Sequence, residues 1–271
     1  MFLRIGYEMS FEIAAPTAMV LMLYVHPERA GDLREPERLK IEPQVCVEDF
    51  LDCFGNRCAR VLAPAGVLKI SSDNFIGDSG QLERNMPTES GTPNQIPVYE
   101  LPTETLQFLM ASRYCEVDRF SDMAWSLFGK ISPGLPRVQA VCDWVHENIK
   151  FGYQYARPTK TAWDVCSERT GVCRDYMHLA ITFCRCLGIP ARYATGYLSD
   201  IGQPPNPEPM DFSAYFEVFL GGKWWPFDAR HNVPRAGRIL MARGRDAVDV
   251  ALTTSFGATK LTQFKVWTDE V

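Results

Sequence analysis

The sequence predicts an α+β protein in which a β-rich N-terminal region precedes several helices and a later antiparallel sheet. Three observations support this prediction. Branched and aromatic residues alternate with polar ones up to about residue 75, as is typical of half-buried strands. From residue 103 to residue 187, apolar residues recur at the three- and four-residue spacing of amphipathic helices. Alternation returns from residue 191.

The N-terminal region is predicted to form a small β-sandwich-like domain over residues 1–85. Turn signals such as Ala15-Pro16 separate four runs of strand-forming residues, which are 2–13, 17–26, 41–48 and 57–62. Residues 71–97 are rich in Ser, Asn, Gly, Pro and Thr. We therefore expect part of this segment to separate the first domain from a second one over residues 96–271.

Helices are predicted next, over residues 103–112, 118–128 and 136–149. A fourth helix is expected to begin at Cys173, because apolar residues follow it at helical spacing until Gly188-Ile189-Pro190 ends the pattern. After this helix the sequence predicts strands over residues 191–198, 214–220 and 223–228. Gly221-Gly222 is expected to join the last two strands as a hairpin turn.

Cys173 is the leading candidate for a catalytic nucleophile. It follows Gly171-Val172 directly and opens the fourth helix. Unpaired N–H groups and the positive end of the helix dipole at that position favour a thiolate over a thiol. The alternative is that Cys173 is a small buried hydrophobic residue, as free cysteines often are.

The composition argues against several classes of partner. The net charge of −5 and the absence of a basic stripe make nucleic acid an unexpected partner. The most apolar stretch, residues 14–25, is broken by Pro16 and is too short to span a membrane. We find no signal peptide pattern, and the nine cysteines are irregularly spaced, so we expect reduced thiols and a cytoplasmic location.

No metal or other cofactor is expected. The gaps between Cys46, Cys53 and Cys58 do not match the spacing of zinc ligands, and Cys184 and Cys186 would face different sides of a helix.

Several segments resemble the transglutaminase-like superfamily. They are GVCRD at 171–175, GIPARY at 188–193, GY at 196–197, FEVFL at 216–220 and WPFD at 225–228. Two further segments, SRYC at 112–115 and DWVH at 143–146, resemble sequences upstream of the cysteine in bacterial members, and the β-rich start resembles the region that precedes their core. The resemblance implies a papain-like fold and a Cys-His-Asp triad for acyl transfer on amides.

The same resemblance places Cys173 as the nucleophile and Asp228 as the residue that orients the base. A histidine is expected at the start of the strand that leads into the hairpin, yet Ser213 stands there. The hairpin turn makes Ser213 and Asp228 diagonal neighbours, roughly 7–8 Å apart at the backbone. An imidazole would span that gap, whereas a serine hydroxyl is too short and is not a base near neutral pH. Alternatively, Asp228 closes the strand and pairs with Arg230.

Another histidine would have to act as the base. His231 is the best local candidate if the strand ends near Asp228, because the following turn could then bring its side chain to the thiol. His178 is five residues from Cys173, so a helix rotates it by about 140° and carries it away. The default positions of His146 and His26 are on the surface.

The leading hypothesis is a cysteine hydrolase or acyltransferase that forms an acyl-enzyme on Cys173. Its substrate would be a peptide, a protein or a small amide or thioester. The alternative is a catalytically impaired member that uses the cleft as a peptide- or protein-binding module. A third possibility is that Ser213 was introduced to disable a working enzyme. Residues 203–209, rich in proline, are expected to form a stiff surface loop that could edge the cleft.

Overall fold

A computed structural model describes residues 1–83, 93–204 and 210–271. The predicted segment between the domains lies partly outside these residues, at 84–92, and so does most of the proline-rich run, at 205–209.

The N-terminal part is a sandwich of two four-stranded antiparallel sheets, which confirms the predicted β-sandwich. Its strands are β1 Phe2–Ile13, β2 Thr17–Leu21, β3 Lys40–Glu42, β4 Val47–Leu51, β5 Arg57–Ala63 and β6 Gly66–Gly77, completed by β13 Thr253–Ser255 and β14 Thr259–Glu270. The strand orders are β14-β1-β6-β3 and β13-β2-β5-β4. Alternate residues of β1, including Leu3, Ile5 and Tyr7, face the shared core and are fully buried.

The two last strands return to the start of the chain. β14 pairs with β1 from Leu3 opposite Glu270 to Ile13 opposite Thr259, and β13 pairs with β2. The predicted segment 96–271 therefore contributes strands to both halves of the molecule.

In the part of the chain that the structure describes, four α-helices follow β6 in sequence: α1 Ser121–Phe128, α2 Leu135–Asn148, α3 Ala162–Glu168 and α4 Cys173–Cys186. Short 3₁₀ helices occupy Pro27–Asp32, Val98–Glu100, Thr103–Leu109, Val117–Arg119 and Tyr153–Tyr155. The α-helix predicted at 103–112 is wrong, because that segment is 3₁₀. The hydroxyl of Thr105 donates to the carbonyl of Pro102 at 2.7 Å, and such a local hydrogen bond competes with α-helix.

A further antiparallel sheet, separate from the two sheets of the sandwich, packs against α4. β9 Ala191–Leu198, β10 Ser213–Leu220, β11 Lys223–Phe227 and β12 Arg238–Gly244 form an antiparallel sheet in the order β11-β10-β9-β12, and β7 Lys150–Phe151 pairs with β8 Thr170–Gly171. One side of α4 packs on β9 and β10. Its opposite side packs on helices α1, α2 and α3. A cysteine-bearing helix on an antiparallel sheet confirms the predicted α+β fold class.

The hairpin has the predicted register, with Phe216 opposite Phe227 and Leu220 opposite Lys223. β11 ends at Phe227, one residue before the predicted end. None of the helices in the described residues is long and apolar enough to cross a membrane.

Candidate active site

Cys173 is the first residue of α4, and Val172 alone separates it from the end of β8 at Gly171. The Nζ of Lys160, a fully buried lysine, donates to the carbonyl of Thr170 at 2.8 Å and fixes the approach to the helix. The carboxylate of Asp175 accepts from the N–H of Val172 at 3.0 Å and closes the first turn. Buried polar contacts thus hold the cysteine at a defined point of the fold.

The electrostatics of the Cys173 thiol differ from the expectation for a helix N-terminus. Burial raises the pKa of this thiol, and the nearby carboxylate of Asp211 adds to the increase. The charge of Arg230 and the N–H groups of Ala214 and Arg174 lower the pKa but do not outweigh burial. The helix terminus favours a thiolate, as expected from the sequence, but desolvation of the charged sulfur opposes this effect more strongly.

The turn after β11 brings His231 back to Asp228. The Oδ1 of Asp228 accepts from the backbone N–H groups of Arg230 and His231, each at 3.0 Å, and its carbonyl accepts from the N–H of Asn232 at 2.8 Å. The Nδ1 of His231 then lies 2.8 Å from the Oδ2 of Asp228. The suggested pairing of Asp228 with Arg230 is limited to the Arg230 backbone N–H.

Arg238 is the residue that connects Ser213 with Asp228. Its guanidinium donates to the Oγ of Ser213 at 3.3 Å and to the Oδ2 of Asp228 at 3.1 Å, and it forms an ion pair with Glu83. Burial alone would raise the pKa of Asp228, but His231 and Arg238 together lower it well below its ordinary value. Asp228 is therefore ionised while only 2% exposed.

The local sequence pattern did not reveal the partners of Arg238, since they lie on other elements. The only available signal was an arginine within an apolar strand pattern, which needs a buried anion.

One cleft unites most of the predicted site residues. It is lined by Tyr153, Cys173, Leu198, Asp200, Met210, Asp211, Phe212, Ser213, Arg230, His231 and Arg235. The carboxylate of Asp228 lies behind this lining, against His231. The thiol, the serine and the imidazole therefore face a common space. In the described part of the chain, no group of three or more His, Cys, Asp or Glu side chains has the arrangement of a metal site.

The remaining histidines make structural contacts. His178 is fully buried, its Nε2 accepts from the N–H of Ala247 at 3.1 Å, and burial lowers its pKa far below the ordinary value. The Nδ1 of His146 contacts the carbonyl of Arg230 at 2.8 Å. His26 is buried rather than on the surface, and its Nδ1 caps a 3₁₀ helix in the N-terminal half. None of these three lines the cleft.

Comparisons with known proteins extend these observations. The profile of the transglutaminase-like superfamily matches residues 122–229, a range that contains Cys173, Ser213 and Asp228 and ends two residues before His231. The crystal structure of a candidate cysteine protease from Cytophaga hutchinsonii is 30% identical, with a TM-score of 0.86 over 99% of this chain and 90% of that chain. An uncharacterized protein of Mycobacterium leprae is 28% identical over 131 residues, 46% of this chain. The match spans about half of that curated relative, 47% of its length.

Proposed function

The chain belongs to the transglutaminase-like superfamily, and we propose that it is a cysteine hydrolase or acyltransferase with Cys173, His231 and Asp228 as its triad. The observation that carries the proposal is the contact of 2.8 Å between His231 Nδ1 and Asp228 Oδ2, with His231 lining the same cleft as Cys173. This arrangement supplies a nucleophile, a base and a group that orients the base.

The chemistry begins with a neutral thiol, because burial raises the pKa of Cys173. Asp228 accepts the Nδ1 proton of His231, which leaves Nε2 free to accept a proton. As the Cys173 sulfur attacks an amide carbonyl, Nε2 takes the thiol proton. The imidazolium then protonates the leaving amine, and a thioester remains on Cys173. Water attacks this thioester in hydrolysis, while a second amine attacks it in transfer.

The backbone N–H of Cys173 is the proposed donor to the oxyanion of the tetrahedral intermediate. It lies at the first position of α4, where helical N–H groups have no acceptor within the helix. The N–H of Ala214, near the start of β10, also lowers the pKa of this thiol, though less than burial raises it.

Ser213 has no proton-transfer role in this proposal. Its hydroxyl accepts from Arg238, so the serine leaves room for the guanidinium that keeps Asp228 ionised. We propose peptides or proteins as substrates and the cytoplasm as the location. Nine free thiols support the latter.

The alternative function, a peptide-binding module, is favoured by Ser213, which stands where the resemblance to the family leads us to expect a histidine. An acylation experiment separates the two functions. The protein is mixed with an activated aryl ester, and the acyl group is located by mass spectrometry of the peptide that contains Cys173. An enzyme acylates Cys173 and then releases the acyl group with turnover, whereas Cys173→Ala gives neither. Acylation no faster than at the exposed Cys46 would support the binding module.

A further inference from the structure

Arg230 places a cation in the cleft without an anion in contact with it. Its side chain lines the same space as Cys173 and His231. Across residues 1–83, 93–204 and 210–271, its guanidinium makes no hydrogen bond and no ion pair. It lies instead with Cζ 3.7 Å from the centre of the Phe151 ring. Stacking on an aromatic face holds a guanidinium in place while its N–H groups stay available to a ligand.

Hydrogen bonds hold the backbone of Arg230, as they hold that of His231, the proposed base. Its N–H donates to Asp228 Oδ1 at 3.0 Å, and its carbonyl contacts the Nδ1 of His146 at 2.8 Å. The same turn carries His231. The cation and the imidazole are therefore positioned together, and a ligand that binds the cation is placed beside the triad without ordering a loop.

The negative charges around the cleft do not neutralise Arg230 by contact. Asp200 is paired with Arg235 at 3.2 Å. Asp211 forms no ion pair with Arg230 among the described residues, and burial raises the pKa of its carboxyl although the charge of Arg230 opposes this increase. The positive charge also reaches the thiol, whose pKa it lowers.

Arg235 lines the same cleft but adds no donor that a ligand can reach. Arg235 is 4% exposed, and its Nε has no hydrogen-bond partner among the described residues. One of its terminal nitrogens donates to the carbonyl of Ser199 and to Asp200. This Nε is closed to solvent, so Arg230 is the cation that the cleft presents to a ligand.

We propose that the cleft selects acyl donors that carry a carboxylate close to the carbonyl attacked by Cys173, with Arg230 as the binding cation. The carboxylate could be a free C-terminus or an acidic side chain beside the reacting amide. The proposal rests on the function proposed above, because it assumes that Cys173 is the attacking group.

Two alkylating reagents of similar size test the proposal without knowledge of the substrate. Iodoacetate is an anion and iodoacetamide is neutral. With either reagent the thiolate sulfur attacks the CH2 carbon and iodide leaves, so a carboxymethyl or a carbamidomethyl group becomes bonded to the sulfur. Since both react with the same thiolate, the ratio of their rates does not depend on the pKa of the thiol. Peptide-resolved mass spectrometry gives this ratio for Cys173 and for the exposed Cys46 and Cys53 in one sample.

We expect the iodoacetate-to-iodoacetamide ratio at Cys173 to exceed that at Cys46 by about tenfold, the effect of one ionic contact. Arg230→Gln should remove most of this excess, and Arg230→Lys should keep part of it. Arg34→Gln is the matched control, because Arg34 is exposed and stacks on Phe75 away from the cleft. All variants are compared at one pH, so any contribution of His231 is common to them.

An unchanged ratio in Arg230→Gln overturns the proposal, provided that the variant unfolds at the same temperature as the wild type. A protection experiment then identifies the source of the carboxylate. Acetyl-dialanine and its C-terminal amide differ only in the terminal carboxylate, and the α-amide of acetyl-glutamic acid carries only the side-chain one. The preferred compound should slow iodoacetamide at Cys173, and protection by none of the carboxylates would contradict the proposal.

The two proposals fail in different ways. If esters do not turn over on Cys173 but the reagent ratio depends on Arg230, the triad fails and the anion site stands. If turnover is observed and the ratio is independent of Arg230, only the anion site fails.

Discussion

The Nδ1 of His231 lies 2.8 Å from the Oδ2 of Asp228, a carboxylate three residues earlier in the chain. Both belong to one turn, so the orientation of the imidazole is determined locally. The residue expected to be the base, on the adjacent strand, is Ser213. Arg238 occupies the space between Ser213 and Asp228.

Placing a histidine at position 213 should not increase activity. The new imidazole in Ser213→His has to displace the Arg238 guanidinium, which already bonds to Asp228. We expect a stability loss of about 1–3 kcal/mol, as for other overpacked sites, and no gain in ester turnover. Thermal unfolding and turnover of the wild type and the variant check this. A gain of more than tenfold that persists in Ser213→His/His231→Gln would show that position 213 is the natural place of the base.

Loss of Arg238 should be far more harmful than loss of an exposed arginine. The Arg238 side chain is 3% exposed, and Arg238→Met leaves Asp228 and Glu83 without their shared cation. We expect a loss of about 3–5 kcal/mol in the free energy of unfolding, measured with denaturant. The matched control is Arg4→Met, which breaks the exposed pair with Asp73 and should have a much smaller effect. Equal losses in the two variants would contradict the structural role of Arg238.

The alkylation of Cys173 should require alkaline pH in the free protein. Burial raises the pKa of this thiol, so its thiolate forms at a higher pH than the thiolate of an ordinary cysteine, whose pKa is about 8.5. Arg230→Gln should move the midpoint further up, because the charge of Arg230 lowers this pKa. The rate of iodoacetamide alkylation against pH gives the midpoint of Cys173 in the wild type and in Arg230→Gln, with Cys46 as the internal control. A Cys173 midpoint below that of Cys46 would contradict the neutral thiol.

Gly196 should tolerate no side chain. Gly196 on β9 pairs with Ser213 on β10. A Cβ atom at Gly196 would lie 1.9 Å from the carbonyl oxygen of Ile239 on β12. We expect Gly196→Ala to lower the free energy of unfolding by about 1–3 kcal/mol. Gly31→Ala is the control, since a Cβ there meets nothing within 4 Å. A neutral effect at Gly196 would contradict the close approach of β9 and β12.

The sequence was sufficient to predict the local elements that position the site. The helix that begins at Cys173 and the register of the hairpin follow from periodicity and from the Gly221-Gly222 turn, which act over a few residues. The local sequence also indicated that His231 could turn back towards the thiol if the strand ended near Asp228. The catalytic roles remain predictions.

Long-range contacts could not be predicted in this way. β14 pairs with β1 across almost the whole chain, and no local pattern indicates which strand edge it meets. Arg238 meets Glu83 across 155 residues. The electrostatics of Cys173 illustrate a related point: the helix terminus is visible in the sequence, whereas the burial that raises the pKa of the thiol depends on how the rest of the chain packs around it.

The most direct test of the triad is the single-turnover rate at which an aryl ester acylates Cys173 in His231→Gln, with His26→Gln as the matched control outside the cleft. We expect His231→Gln to lower this rate by about 10²–10⁴-fold, the usual contribution of a general base, and His26→Gln to leave it near the wild-type value. Acylation of His231→Gln at the wild-type rate would show that His231 is not the base and would contradict the proposed triad.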